Sequence, residues 1–230
     1  MQSNSTMPQS RQAHNTPIDP PQLPPHLPEA SFAPEQIADH AAYTQQLITR
    51  YNVGDQAADD VLFEQVVFKQ VQWGQTQFSS AQFIDVRFDA CDLAGAAWEK
   101  AHMQRAELIG CRLVGTKLLH TDWDNVLIKD CNAELALFWE ASLLNTRWER
   151  CSLREASFEG ANLAGVVFRN CDLTNADLRN TTLRATDLRG STLTGMQVGA
   201  KELRGAIIDP MQAVHLARLL GVTVCALDDD

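Results

Sequence analysis

Apolar residues in this chain recur at every fifth position. The series starts at Phe63, passes through Phe68, Trp73, Phe78, Phe83 and Phe88, and runs without a slip to Leu203 and Ile208. All thirty members are apolar, and Ala133 is the one small side chain among them. Two places before each member, from Val61 to Ser191, stands Val, Thr, Ala, Cys or Ser. Neither the 3.6-residue period of a helix nor the 2.0-residue period of a strand produces this pattern. It predicts a repeat architecture over residues 61–208.

The flanks read differently. Eight of the nine prolines fall in the first 34 residues, among Gln, Ser, Asn and His. Such a segment buries too little apolar area to offset its ordering entropy, so residues 1–30 are expected to be a disordered tail. Pro34 and Glu35 suit a helix N-terminus, Ile37, Ala41, Ile48 and Tyr51 share a helical face, and Asn52 and Gly54 end it. An amphipathic helix over 34–51 follows, making 31–60 a cap on the first open end. Beyond the repeat, Pro210 opens a second helix with Ala213, Leu216, Ala217 and Leu220 on one face and Gly221 as its stop. Val222, Val224 and Leu227 then alternate as a short strand would, and residues 209–230 finish on an acidic Asp228–Asp230 tail.

Ala161-Asn162-Leu163-Ala164-Gly165, Ala176-Asp177-Leu178-Arg179-Asn180 and Thr186-Asp187-Leu188-Arg189-Gly190 resemble pentapeptide repeats. The resemblance covers about two-thirds of the chain. It implies an all-β solenoid, a right-handed quadrilateral β-helix in which four pentapeptides make one square coil of 20 residues. The large residue and the small one two places before it would point inward, and the other three would face solvent. Cys91, Cys111, Cys131, Cys151 and Cys171 are spaced by 20 and should form a column on one wall. Trp73, Trp98, Trp123 and Trp148 are spaced by 25, which places each one coil up and one wall round. Seven to eight coils at the strand spacing make a rod of about 35 Å, and a solenoid needs caps at its ends. The C-terminal helix followed by Leu-Gly-Val-Thr-Val resembles the ending of the quinolone-resistance (Qnr-type) members. That resemblance implies a homodimer of end-to-end rods formed through the C-terminal module.

Composition narrows the function. The 230 residues are 45% apolar and 21% charged, with a net charge of −10. Of this, residues 1–60 carry −5, residues 61–208 carry −2 and residues 209–230 carry −3. A chain without excess Lys and Arg is a poor counterion-releasing binder, so direct nucleic-acid binding is not expected. No uninterrupted apolar run reaches membrane-spanning length, and the N-terminus lacks the basic-then-apolar order of a secretory signal. The expectation is a cytoplasmic protein with no membrane partner. No nucleophile–base pair and no metal-ligand spacing stands out, and His102 and His120 are lone histidines at outward positions. No enzyme activity, metal or cofactor is expected.

Two features remain as candidate sites. The cysteine column reads as core packing, with Cys filling the small inward slot as Ala and Val do elsewhere. The outward slots are mostly polar, except that Ile109, Val114, Leu119, Leu127, Leu135, Leu137, Trp139 and Leu144 are apolar. Leu119, Leu135, Leu137 and Trp139 form a candidate partner-binding patch; the alternative occupant is the protein's own N-terminal segment. Ala213, Leu216, Ala217, Leu220, Val222 and Val224 are the candidate cap and dimerisation residues. The Qnr-type resemblance implies a DNA-mimicking modulator of DNA gyrase or topoisomerase IV. The alternative is a scaffold or adaptor, secretion-associated in one version, with no topoisomerase role.

Overall fold

The structure, a computed structural model, describes residues 17–30 and 37–225. Its unit is five residues long. Val61 and Phe63 alternate with Leu62 and Glu64, as extended backbone requires, and both Val61 and Phe63 are buried. The fifth residue, Gln65, turns the chain with φ of +56°, so that Val66 and Phe68 again point inward. The same left-handed bend recurs at every fifth residue from His40 to Gly195. At several corners it is a hydrogen-bonded turn: Thr76 N–H donates to the Trp73 carbonyl at 3.1 Å around Gly74–Gln75. Positive φ at the third turn residue is the type II requirement, which explains the Asn and Gly residues at many of these positions.

Four such units close one coil. Strands β1 (Ala42–Thr49), β3 (Leu62–Lys69), β5 (Gln82–Asp89), β7 (His102–Ile109), β8 (Asp122–Lys129), β9 (Ser142–Glu149) and β10 (Val167–Arg169) stack in one parallel sheet. Strands β2 (Ala57–Asp59), β4 (Gln77–Ser79) and β6 (Ala97–Glu99) stack in a second. Every pairing between coils has a register of 20: Ala42 faces Leu62, Leu62 faces Gln82, Gln82 faces His102, and isolated bridges carry the ladder on to Asn162 and Thr182. The molecule is a parallel β-solenoid. Its four walls are named here by their inward residues in one coil: Phe63 on the first, Phe68 on the second, Trp73 on the third and Phe78 on the fourth.

The core is a single column of side chains. Large inward residues from Phe63 to Leu193 are buried, and Val198, Leu203 and Ile208 are partly covered at the C-terminal end. Aromatic rings stack up the walls, Phe63 on Phe83 at 5.3 Å and Phe138 on Phe158 at 4.8 Å. The tryptophan staircase brings Trp73 to 5.6 Å from Trp98 and Trp123 to 6.2 Å from Trp148. Ala133 stands on the wall opposite Trp123 in the same coil, so the one small member of the series offsets a bulky one.

Three expectations for the flanks are overturned. Residues 42–49 of the expected 34–51 helix are strand β1, and His40, Gln45 and Arg50 already carry left-handed φ; residues 34–36 lie outside the described residues. Tyr43, Ile48, Val53 and Ala58 continue the fives downward. Gln46, Tyr51 and Gln56 stand in the small slots of this first coil and break the sequence signature there. The large slots stay covered nonetheless, with Ile48 and Val53 buried.

Residues 17–30, expected to be part of a disordered tail, lie along the corner between the first and second walls. Asp19 N–H donates to Asn125 Oδ1 at 3.1 Å, Gln22 N–H to Asp85 Oδ1 at 2.8 Å, and Gln65 Nε2 to the Gln22 carbonyl at 2.9 Å. At its lower end Leu47 N–H donates to the Pro28 carbonyl and Ala30 N–H to the Leu47 carbonyl, both at 2.9 Å. Ile18, Pro21, Pro24, Leu27 and Ala30, every third residue, are half-buried, and Leu23 is the one half-buried described position of this segment off this period. Three residues per turn is the polyproline II period, so proline stiffness makes this segment a strap. Residues 1–16 lie outside the described residues.

The third correction concerns the end of the chain. Helix α1 (Pro210–Leu219) forms, but residues 222–225 pair as no strand, and Leu227 lies outside the described residues.

Candidate protein-binding surface

The apolar patch is assembled by the coil geometry. Leu137 sits mid-wall on the fourth wall between Lys117 below and Ser157 above. Trp139 follows two residues later on the same wall, one rung above Leu119, and Leu135 occupies the preceding corner. Leu135 and Trp139 are 52% and 46% exposed, whereas Leu119 and Leu137 are half-buried between their neighbours. Trp139 Nε1 donates to Ser157 Oγ at 2.9 Å, which holds the indole against the wall. Leu135 adopts φ of +60° and is the one large apolar residue among the non-glycine left-handed positions. Bulky residues are uncommon there, and such strain concentrates at working surfaces. Leu144, on the adjoining first wall, is also exposed.

The described part of the strap does not cover this patch. It follows the corner of Gln65, Asp85 and Asn125, where it buries Asp85, while the second-wall residue Val67 is also buried. Arg105 grips Asp85 there with two hydrogen bonds of 2.6 and 2.7 Å. Burial raises the Asp85 pKa, but the Arg105 guanidinium and the Gln22 N–H outweigh it and hold the carboxyl below its usual range.

The cysteine column is a hydrogen-bond ladder. Cys91, Cys111, Cys131 and Cys151 each point Sγ at a carbonyl 23 residues earlier, from Phe68, Phe88, Leu108 and Ile128 at 3.4–3.5 Å. Thr116, Thr186 and Ser191 do the same with their hydroxyls, to Leu93, Leu163 and Phe168. Cys thus serves as a small inward donor interchangeable with Ser and Thr. All five thiols of the column are free and buried, and Cys225 is free and exposed. For Cys111 a hydrogen bond from Cys131 favours the thiolate, but the Cys91 thiol and burial prevail and push it up to about 12.

Polar side chains that the sequence reading passed over cap the C-terminal end. Asp209 and Gln212 form a capping box at the start of α1. The buried Gln212 amide donates to the Leu188 and Ser191 carbonyls at 2.6 and 2.7 Å, and His215 Nε2 lies 3.1 Å from the Leu193 carbonyl. Asp209-Pro210 followed by Gln212 was a readable start signal. What the glutamine would reach was not. The expected apolar face of Ala213, Leu216, Ala217 and Leu220, of which Leu216 is buried, lines an open cleft of about 280 Å³ with Leu203, Ala206 and Ile208. Val222 is 54% exposed and Val224 half-buried.

Charge on the walls is largely paired. Arg150 holds Asp130 at 2.6 Å, Arg112 holds Asp92 at 3.1 Å and Arg154 holds Asp172 at 3.0 Å, each across coils. Arg179 and Arg189 fork onto Asp177 and Asp187 at 2.6 Å within their own coils. His120 lies 3.3 Å from Glu140. No helix among the described residues is long and apolar enough to cross a membrane.

Flat walls with one exposed Leu/Trp band and an apolar end define a solenoid of the kind that presents surfaces rather than clefts. A family model for the pentapeptide repeat region matches residues 101–178, and one for pentapeptide repeats in eight copies matches residues 81–118. These matches show pentapeptide repeats over residues 81–178, within the unbroken five-residue register that runs from Phe63 to Ile208. Among solved structures it is similar to QnrB1, a plasmid-mediated fluoroquinolone resistance protein. The two are 21% identical over 82% of this chain and 99% of that one, with a TM-score of 0.45. It is also similar to HetL, a pentapeptide repeat protein involved in heterocyst differentiation regulation from the cyanobacterium Nostoc sp. strain PCC 7120. Here identity is 19% over 74% of this chain and 90% of that one, with a TM-score of 0.39. No curated protein matches the chain.

Proposed function

We propose that this rod is a non-enzymatic binding protein that acts by protein–protein contact through its fourth wall and dimerises through its C-terminal end. The observation that carries the reading is the pair of exposed residues Leu135 and Trp139 flanking half-buried Leu137 on a mostly polar wall. An aromatic anchor with leucine neighbours is the usual centre of a binding hot spot. The open cleft between α1 and the last coil, with exposed Val222 and Leu220 beside it, supports the end-to-end homodimer.

DNA gyrase or topoisomerase IV is the specific partner named by the Qnr-like ending of the sequence, with the rod as a DNA mimic. The net charge of −10 favours that version. The arginine pairing of Asp85, Asp92, Asp130, Asp172, Asp177 and Asp187 weighs toward the scaffold or adaptor version, because a mimic of phosphates needs unneutralised carboxylates. A supercoiling assay titrated with the protein, with and without a topoisomerase poison, separates the two. Inhibition or rescue at micromolar protein or below supports the topoisomerase reading; no effect at tens of micromolar leaves the scaffold.

A further inference from the structure

We infer that the fourth-wall band takes an amphipathic helix with a basic flank, supplied by another protein. The inference rests on the protein-binding reading above and names the chemistry of the partner. The main chain of this wall is already used from rung to rung. Leu137 N–H donates to the Thr116 carbonyl, Phe138 N–H to Ser157, and the Leu137 and Trp139 carbonyls accept from Leu118 and His120. These rung-to-rung bonds leave a partner strand no open sheet edge on this wall, so side chains make most of the contact.

The shape fits a helix. Leu135 to Trp139 spans about 13 Å of extended chain, against a helix diameter of about 10–12 Å. Trp139 is fixed by its bond to Ser157 Oγ, so little side-chain freedom is lost on docking.

Charge selects the flank. On the rung above, Glu155 stands over Leu135 and Glu159 over Trp139, and neither enters an ion pair among the described residues. The neighbouring arginines, Arg154 and Arg179, make their ion pairs with Asp172 and Asp177, and Arg179 feels the Glu159 carboxylate only through a longer-range attraction. Glu134 and Glu140 lie beside the band, Glu140 with His120 at 3.3 Å, and Lys117 is the cation below Leu137. The upper edge is therefore acidic. A second copy docking the same way would bring these carboxylates together, which argues against self-association through this face.

The test uses the full chain and two synthetic amphipathic helices of identical pattern, one of leucine and lysine and one of leucine and glutamate. Trp139 supplies the signal, because Trp73, Trp98, Trp123 and Trp148 are at most 1% exposed. The lysine peptide should protect Trp139 from acrylamide quenching, and the glutamate peptide should not. Replacing Glu155 and Glu159 by Gln should weaken the lysine peptide about three- to tenfold. Leu135→Ser should weaken it further while the melting curve stays in place. Equal binding of both peptides, or indifference to Glu155 and Glu159, overturns the basic flank while leaving the protein-binding reading intact. Protection that rises with protein concentration alone assigns the band to a second copy. Quenching that increases when residues 1–16 are deleted assigns it to the chain's own N-terminus. Either result overturns the inference. A photocrosslinker at Leu135 that yields no Trp139-dependent adduct in cells overturns the underlying reading itself.

Discussion

Replacing Gln212 by Met isolates the C-terminal cap. Methionine keeps the length and helix propensity of the side chain and removes its amide. Three hydrogen bonds disappear: two buried carbonyls lose their donor, Leu188 at 2.6 Å and Ser191 at 2.7 Å, and the Asp209 N–H of the capping box loses its acceptor at 2.9 Å, under a residue only 7% exposed. A buried acceptor left without a donor costs about 1–3 kcal/mol. The two together, less what the buried methionine recovers, destabilise the last coil by about 2–4 kcal/mol. Solenoid coupling runs between neighbouring coils, so the loss should stay local. Native-state hydrogen exchange reads it directly. The amides of Thr192, Met196 and Gln197, which bond to the Cys171, Leu193 and Ala176 carbonyls, should exchange about 30- to 1000-fold faster. Those of His102 and Asp122, in the middle of the rod, should not change. A change below about threefold at the last coil would refute the cap argument, because it would mean that water already serves these carbonyls. An equal acceleration along the whole rod would refute the local coupling.

Three further outcomes follow from the same geometry. Ala133→Leu forces a branched side chain into the coil that holds Trp123 and should destabilise by about 1–3 kcal/mol in urea unfolding; neutrality would mean that the opposing Trp123 leaves spare room. A thiol reagent should label the exposed Cys225 at once and the five column cysteines only in denaturant, and rapid labelling of all six in the folded protein would contradict the buried ladder. Asp85 is held below its usual range in the folded state, so its contribution to the strap is complete at neutral pH and is lost as pH falls through that lowered value. The Gln22 amide should accordingly keep its protection through the ordinary carboxylate range and lose it only at more acidic pH. Release on raising the pH through neutrality would have the wrong sign.

What could be read in advance divides along a physical line. Phe63 to Leu193 announced themselves because a stacked coil tests every fifth side chain against the same narrow core, so no position escapes the requirement. The first coil did not. Gln46, Tyr51 and Gln56 occupy its small slots, where no further five-residue coil is stacked beneath, and Gln56 Oε1 accepts the Ile37 N–H at 2.7 Å. The apolar spacing of residues 37–51 then imitated a helix.

The composition of residues 17–30 said correctly that they cannot make a core of their own. It could not say that the rod offers them a corner, where Asp85, Gln65 and Leu47 meet the strap's backbone and its every third residue turns inward. Leu135, Leu137 and Trp139 could be marked as outward and apolar from the register alone. Their exposure, and the absence of the described strap from that wall, depended on which corner the strap follows. The sequence by itself determined the coil, because its rule is local and repeated. The tertiary structure decided the ends and the strap, where contacts form between residues far apart in the chain and no period records them.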